Sequence, residues 1–402
     1  MVKKIGNIIL LGLISGSIAL SIGITAFHIQ NHYLNTYVWS AKINKGVDFI
    51  AYYTGATLLK EGKTVYDWKL QKQTQEKITN RDLEEGVLTF RNPVIVAFMW
   101  LPLAYFDIQT AYKISVAVQF CIVVLGMVLL KKLLNLKTRI ILAISVFLPV
   151  AFQVYSSQIS SIIFLVFVLL WFALKQNKAF LAGLLTGILF LKPQFLIATP
   201  YLLIISKKTK SYLCGLVLSL VAMFGVNIFI YGPRFIREYP MFVTSTENLN
   251  SGTVVQDNYN LFGLQALISR TIHIDIPFLA AVSSSIFYLF SFLLFWQKRN
   301  SVHIYTLLIS ASLWTISLNI HSLFTDLLIL TIPLGVFMQR WRGLDKFMTF
   351  VIFVTPLLVY GPVQLAGFMG LVFTVMGFVL LVVGDPGLMV GDPGLEPGTE
   401  RV

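Results

Sequence analysis

Four polar side chains interrupt apolar stretches of this chain where hydrocarbon would tolerate them poorly, and they set the chemistry open to it. Lys192 breaks the run Phe190-Leu-Lys-Pro-Gln194. A lysine at helix-centre depth costs about 2.5–3.5 kcal/mol on insertion scales, so it either snorkels from a helix end or faces a polar cavity or an anion. Asp326 lies about one helical turn beyond His321. An acidic group in hydrocarbon has a partner or a role, whereas the histidine also suits the interfacial belt. Asp48 opens Val47-Asp-Phe-Ile-Ala-Tyr-Tyr53. It reads either as an N-cap accepting a backbone hydrogen bond or as a carboxylate that takes a proton from an incoming hydroxyl, and the two roles are compatible. His28 and His32 share a helical spacing but have no third ligand at a defined offset, which favours interfacial placement over a metal site.

The elements that carry these residues belong to a membrane. Hydrophobic residues make up 56% of the 402 and charged ones 12%, and the mean hydropathy is +0.78, outside the range of soluble domains. Alternating outer-membrane strands are absent, so the spanning elements are predicted to be helices that satisfy their own backbone hydrogen bonds. The formal charge of +13 falls in small clusters between apolar runs: Lys3 and Lys4; Lys131, Lys132, Lys137 and Arg139; Lys175 and Lys178; Lys207, Lys208 and Lys210; Lys298 and Arg299; Arg340, Arg342 and Lys346. That pattern is a positive-inside bias and argues against nucleic acid as a partner. Cys121 and Cys214 lie in predicted helices without neighbouring ligands and read as small packing residues. No phosphate loop, nucleophile elbow or His-Glu-x-x-His is present, so nucleotide-driven and hydrolytic chemistries lack a motif, and no metal or cofactor is expected.

Placing every basic cluster in the cytoplasm predicts an all-α polytopic membrane protein of about 12 crossings with both termini cytoplasmic. The first anchor runs from Ile5 to Phe27 and is too long for a cleaved signal. Later crossings fall at Thr110–Leu130, Arg139–Gln153, Ile159–Leu174, Ala179–Leu191, Phe195–Ile205, Ser211–Tyr231, Ile276–Trp296, His303–Leu318 and Ser322–Met338, with a final hairpin over Phe347–Val383. Residues 30–92 form a first outer loop with an amphipathic interfacial helix at Asp48, and 232–275 a second. Pro93–Phe106 is too short to cross and is expected to re-enter or lie partly embedded. Residues 1–383 thus make one domain. The repeated Asp-Pro-Gly-Leu of 384–402 marks a disordered tail. The threading collects Asp48, the Ser156-Ser157-Gln158 turn, Lys192, Asn258-Tyr-Asn260 and His321 at the outward ends of helices, which predicts a cavity there.

The ordered set of motifs resembles glycosyltransferase family 87, the polyprenyl-phosphomannose-dependent mannosyltransferase type. Asp48 with Tyr52-Tyr53, Leu58-Leu-Lys-Glu-Gly62 and Val65-Tyr-Asp67 is similar to the family's first outer loop. Phe90-Arg-Asn-Pro93 and Leu101-Pro-Leu-Ala104 resemble its Pro-containing segment, Ser157-Gln158 its Gly-Gln turn, Gly183–Pro193 its Gly-rich helix ending in Leu-Lys-Pro, and His321–Asp326 its late His and Asp motif. Asn92 stands where the family often has a second proline, and Ser157 where it has a glycine. The resemblance implies a C-type glycosyltransferase architecture. It also implies inverting transfer of a sugar, such as mannose, from a polyprenyl-phosphate donor to a lipid-linked or cell-envelope glycan acceptor at the outer face of the cell membrane. Asp48 would be the general base. Lys192 would stabilise the leaving phosphate, helped by Arg91 or Arg234, and His321 would bind phosphate or sugar. Tyr52, Gln158 and Asp326 would complete the substrate site, while the apolar bulk and membrane lipids hold the polyprenyl chain. Two other classes fit the residues: a transporter or lipid flippase, which the missing paired halves and the long first loop disfavour, and a non-catalytic scaffold in envelope assembly.

Overall fold

A computed structural model of the protein describes residues 48–79, 87–249, 277–319, 323–341, 343–360 and 363–383, with scattered positions between 12 and 23. Most of the expected first anchor, His28, His32, His321, Asn258-Tyr-Asn260 and the 384–402 tail lie outside the described residues. Every regular element among the described residues is helical.

The first described helix, α1 (Phe49–Lys60), departs from the amphipathic interfacial helix expected for it. Phe49, Ala51, Tyr52, Tyr53, Thr54, Gly55, Ala56 and Leu58 are all buried, which covers most of its circumference. A Cβ at Gly55 would come within 2.9 Å of the Phe90 ring, so the missing side chain is what admits the ring. Helix α2 (Trp68–Thr79) is the polar one, and two glutamines spaced i, i+4 point inward from it. Gln71 accepts from Phe90 N at 2.7 Å and donates to Val65 O at 2.7 Å, while Gln75 donates to Leu88 O at 2.7 Å and accepts from Leu88 N at 3.2 Å. The amides thus satisfy the backbone of the extended segment 87–90, which leads into Pro93.

The Pro93–Phe106 segment forms α3 (Val94–Trp100) and a 3-10 turn, Leu101–Tyr105. At about 1.5 and 2.0 Å rise per residue the two together reach roughly 20 Å, short of a bilayer's hydrocarbon core. Its first turn is satisfied from afar, Ile95 N donating to Asn227 Oδ1 at 3.0 Å.

Helix α4 (Ile108–Leu134), capped by Asp107 through Gln109 N and Thr110 N, is followed by α5 (Thr138–Ser145) and α6 (Leu148–Ser156). Where one straight crossing was expected over Arg139–Gln153, α5 and α6 meet at 58°. Pro149 in the first turn of α6 explains the break, because its ring collides with the carbonyl four residues back, at Ser145. Next come α7 (Ser160–Lys175) and α8 (Ala179–Ile188). A 3-10 turn Leu189–Leu191, a second at Pro193–Ala198 and α9 (Thr199–Ile205) complete the return. Lys192 sits between the two 3-10 turns at φ −137°, ψ 82°, outside the helical region that a following proline disfavours.

Helix α10 (Thr209–Tyr231) crosses α8 along a seam of small residues. A Cβ on Gly183 would lie 2.0 Å from Tyr212 O, and one on Gly215 would lie 2.1 Å from Phe180 O, so the backbones touch. Helix α11 (Phe235–Leu249) follows, then α12 (Pro277–Lys298), α13 (Ile304–Ser317), a 3-10 stretch Phe324–Leu330 and α14 (Thr331–Arg340). The described chain closes with α15 (Gly343–Val354) and α16 (Val363–Val383).

Among the described residues two helices, α4 and α10, are long and apolar enough to cross a membrane, and α5 with α6 makes a third span if the bent pair is counted as one. Six shorter apolar helices, of 10–17 residues, accompany them. The lengths by themselves therefore identify a membrane protein, with two or three clear spans among the described residues. Cys121 and Cys214 are exposed rather than packed inside, which corrects their reading as packing residues.

Candidate functional site

Three helix-to-helix turns converge on one polar junction. The α6–α7 turn supplies Gln158, the break after α8 supplies Lys192, and the 3-10 stretch after α13 supplies Thr325 and Asp326. Asp48, just before α1, meets them from the fourth side.

The α6–α7 turn is held by its own side chains. Ser157 has a left-handed φ of 53°, Ser157 N donates to Gln153 O at 3.1 Å, and Gln153 Nε2 donates to the Gln158 carbonyl. The family glycine expected at position 157 matches this conformation, which costs a side chain about 1 kcal/mol. Here the serine instead bonds Ser115 on α4 through its hydroxyl.

Gln158 is the hub. Its Nε2 donates to Asp48 Oδ2 at 2.9 Å, while its Oε1 accepts from Lys192 Nζ at 3.1 Å and from Thr325 Oγ1, with Ser160 Oγ at 2.6 Å. Flipping the amide would set NH2 against the Lys192 ammonium and oxygen against the Asp48 carboxylate, so the network fixes its orientation. Lys192 Nζ also donates to Ser160 Oγ at 3.0 Å and pairs with Asp326 Oδ1. An ammonium has three hydrogens, and these three acceptors use them. Asp326 Oδ2 accepts from Leu323 N at 3.0 Å, and the Ser160 hydroxyl lies 2.6 Å from Asp326 Oδ1. Lys192 is 4% exposed and Asp326 0%, so the lysine neither snorkels nor reaches bulk water.

Asp48 does not cap α1: its side chain makes no capping hydrogen bond, and its carboxylate turns to Gln158 instead. One turn on, Tyr52 is buried with its ring stacked on Trp100 at 4.9 Å and edge-on to Phe90 at 6.3 Å. Burial, and then the negative charge of Asp48, push its phenol well above the usual range. Tyr52 therefore remains a neutral donor across the physiological range.

The remaining expected site residues make other bonds or lie outside the described residues. Arg91 Nε donates to Thr89 Oγ1 at 2.9 Å. The neighbouring Asn92 Nδ2 donates to Leu191 O at 3.1 Å, tying this segment to the residue before Lys192. A proline at position 92 has no side-chain donor for that bond. Arg234 is exposed, donates from Nε to Tyr231 O at 3.1 Å and stacks 4.3 Å from the Tyr231 ring. It borders a second polar group, in which Tyr231 OH donates to Glu238 Oε2 at 2.6 Å and Thr64 Oγ1 to the same oxygen at 3.1 Å. Sequence reasoning missed Ser160, Thr325 and Gln153. Ser160 was signalled by the polar run Ser156–Ser161 at the head of an otherwise apolar helix, and Thr325 by its place beside Asp326. Among the described residues no three His, Cys, Asp or Glu side chains gather as metal ligands do.

An all-helical membrane protein whose apolar hairpins bring two carboxylates, an ammonium and an amide to one buried junction is built for chemistry at a membrane, not for a nucleotide fold. The sequence model of glycosyltransferase family 87 matches residues 90–319, more than half of the chain, and the protein belongs to that family of membrane glycosyltransferases. No curated protein and no solved structure matches the chain.

Proposed function

We propose that this glycosyltransferase moves a hexose, with inversion, from a polyprenyl-phosphate donor to a lipid-linked or cell-envelope glycan acceptor at the outer face of the membrane. Asp48 is the general base. The observation that carries this reading is the Gln158 Nε2–Asp48 Oδ2 bond at 2.9 Å, which holds the carboxylate at a junction of short helices. A carboxylate so held takes the proton of the acceptor hydroxyl as its oxygen bonds to the anomeric carbon, and the bond from that carbon to the phosphate oxygen breaks, releasing polyprenyl phosphate. Arg91 and His321 supply positive charge to the departing phosphate, and Tyr52 offers a neutral phenol donor beside the base. The polyprenyl chain lies against exposed apolar side chains such as Phe229 and Val221 of α10.

The same reading carries a multi-pass C-type architecture of about 12 crossings, with shorter helices tilting or thinning the bilayer and both termini cytoplasmic. Purified protein given polyprenyl-phosphate sugars, mannose first, releases polyprenyl phosphate and forms a glycosylated acceptor. Asp48→Asn abolishes turnover while the melting midpoint in detergent stays put. An Asp48→Asn protein with full turnover removes Asp48 from the role of base.

A further inference from the structure

The lysine at the heart of the junction has the charge to bind a phosphate but not the vacancy. Its three hydrogens go to Gln158 Oε1, Ser160 Oγ and Asp326 Oδ1. A phosphate drawn to Lys192 would have to displace Asp326, leaving a carboxylate at 0% exposure without its counter-charge. Among the described residues the junction brings two carboxylates to one ammonium. The pair's bonds run elsewhere. Lys192 and Thr325 both donate to the oxygen of the Gln158 amide, which forces the amide nitrogen toward Asp48.

We infer that Lys192, Asp326 and Gln158 form an internal positioning relay that aims the Asp48 carboxylate, and that Lys192 is not a donor-phosphate ligand. The inference rests on Asp48 being the base. Asp326 fixes Lys192, Lys192 fixes the direction of the Gln158 amide, and Gln158 fixes one oxygen of Asp48. The parts come from three separate turns, at positions 158, 192 and 326, so the relay also registers those turns against α1.

Phosphate ligation and positioning predict different kinetics. Purified variants are assayed with a polyprenyl-phosphate sugar that the wild type accepts, and kcat and donor KM are measured separately. Removing one member of the pair, by Lys192→Met or Asp326→Leu, is expected to lower kcat by about tenfold or more with donor KM within about twofold of wild type. The double variant Lys192→Met/Asp326→Leu removes both charges and leaves Thr325 to hold the amide. It is expected to recover kcat by about fivefold or more over the worse single variant, since apolar replacement of a whole buried pair is often neutral. Gln158→Leu is expected to lower kcat at unchanged KM, with little further loss when combined with Lys192→Met.

A double variant no better than Lys192→Met, with donor KM raised about tenfold in both, would overturn the relay and make Lys192 the phosphate ligand. Should either single variant fail to fold by its melting curve, the double variant and Gln158→Leu decide through the same kcat and KM split. Asp48→Asn is run alongside. If it is active, the base assignment has failed; if it is inactive while the pair variants raise KM, the relay alone has failed.

Discussion

The hairpin that carries Lys192 is held in two places by opposite means. Along α8 it is held by the absence of side chains: Gly183 and Gly215 let backbones touch, and a Cβ at Gly187 would lie 2.4 Å from that of Ser219. At its tip it is held by a crowd of polar atoms from two other segments. The contrast follows from the solvent. Lipid is as apolar as leucine, so burying another leucine between helices gains little, and close backbone packing or interhelical hydrogen bonding must fix the arrangement. The seam resists separation through shape and the junction through charge, so they fail differently when altered.

The largest effect is expected at the junction. Lys192→Met strands the fully buried Asp326 without its counter-charge and should cost about 3–5 kcal/mol of stability, read as a fall in melting midpoint in detergent. Asp326→Leu should cost a similar amount, and the double variant much less. A double-variant loss equal to the sum of the two single losses would mean that the two side chains stabilise the fold independently and not as a pair.

Next comes the seam. Gly183→Val sets a branched side chain where even a Cβ would lie 2.0 Å from Tyr212 O. Overpacking of that kind costs about 1–3 kcal/mol or more. Pushing α8 from α10 also displaces Lys192, so turnover should fall with stability, unlike at a purely structural position remote from the tip. Tyr212→Phe tests a side-chain bond across the same seam, Tyr212 OH to Thr186 Oγ1 at 2.9 Å. Its loss should cost about 0.6–1 kcal/mol, measured by thermal melting, and leave kcat untouched.

The smallest shift is expected at the turn that aims Gln158. Ser157→Gly relieves the left-handed backbone but gives up the bond to Ser115. These terms oppose each other at about 1 kcal/mol apiece, so the melting midpoint should barely move. A strong destabilisation would show that the Ser115 bond outweighs backbone strain there.

Much of the fold was legible because its causes are local. Pro193 forces Lys192 out of helix, and apolar runs ending at Gln158 and at Lys175 give α7 almost the limits expected. The burial of α1 was not legible. Its enclosure depends on the Phe90 ring entering at Gly55 and on Trp100 stacking on Tyr52, partners supplied by a segment some forty residues on. The 58° bend between α5 and α6 did have a local signal, Pro149, set within a stretch whose apolar composition reads as one crossing. For Asp48 the capping preference pointed to a backbone bond, and a tertiary partner, Gln158, took the carboxylate instead.

By itself the sequence determined that the chain lives in a membrane, that its elements are helices, and which polar residues stand out against the hydrocarbon. Those properties follow from hydropathy and from breaks that act within a few residues. Only the tertiary structure decided what the polar residues do to one another. Lys192 and Asp326 lie 134 positions apart and Asp48 and Gln158 lie 110 apart, and a charge buried away from water takes whichever partner the packing brings within hydrogen-bond reach.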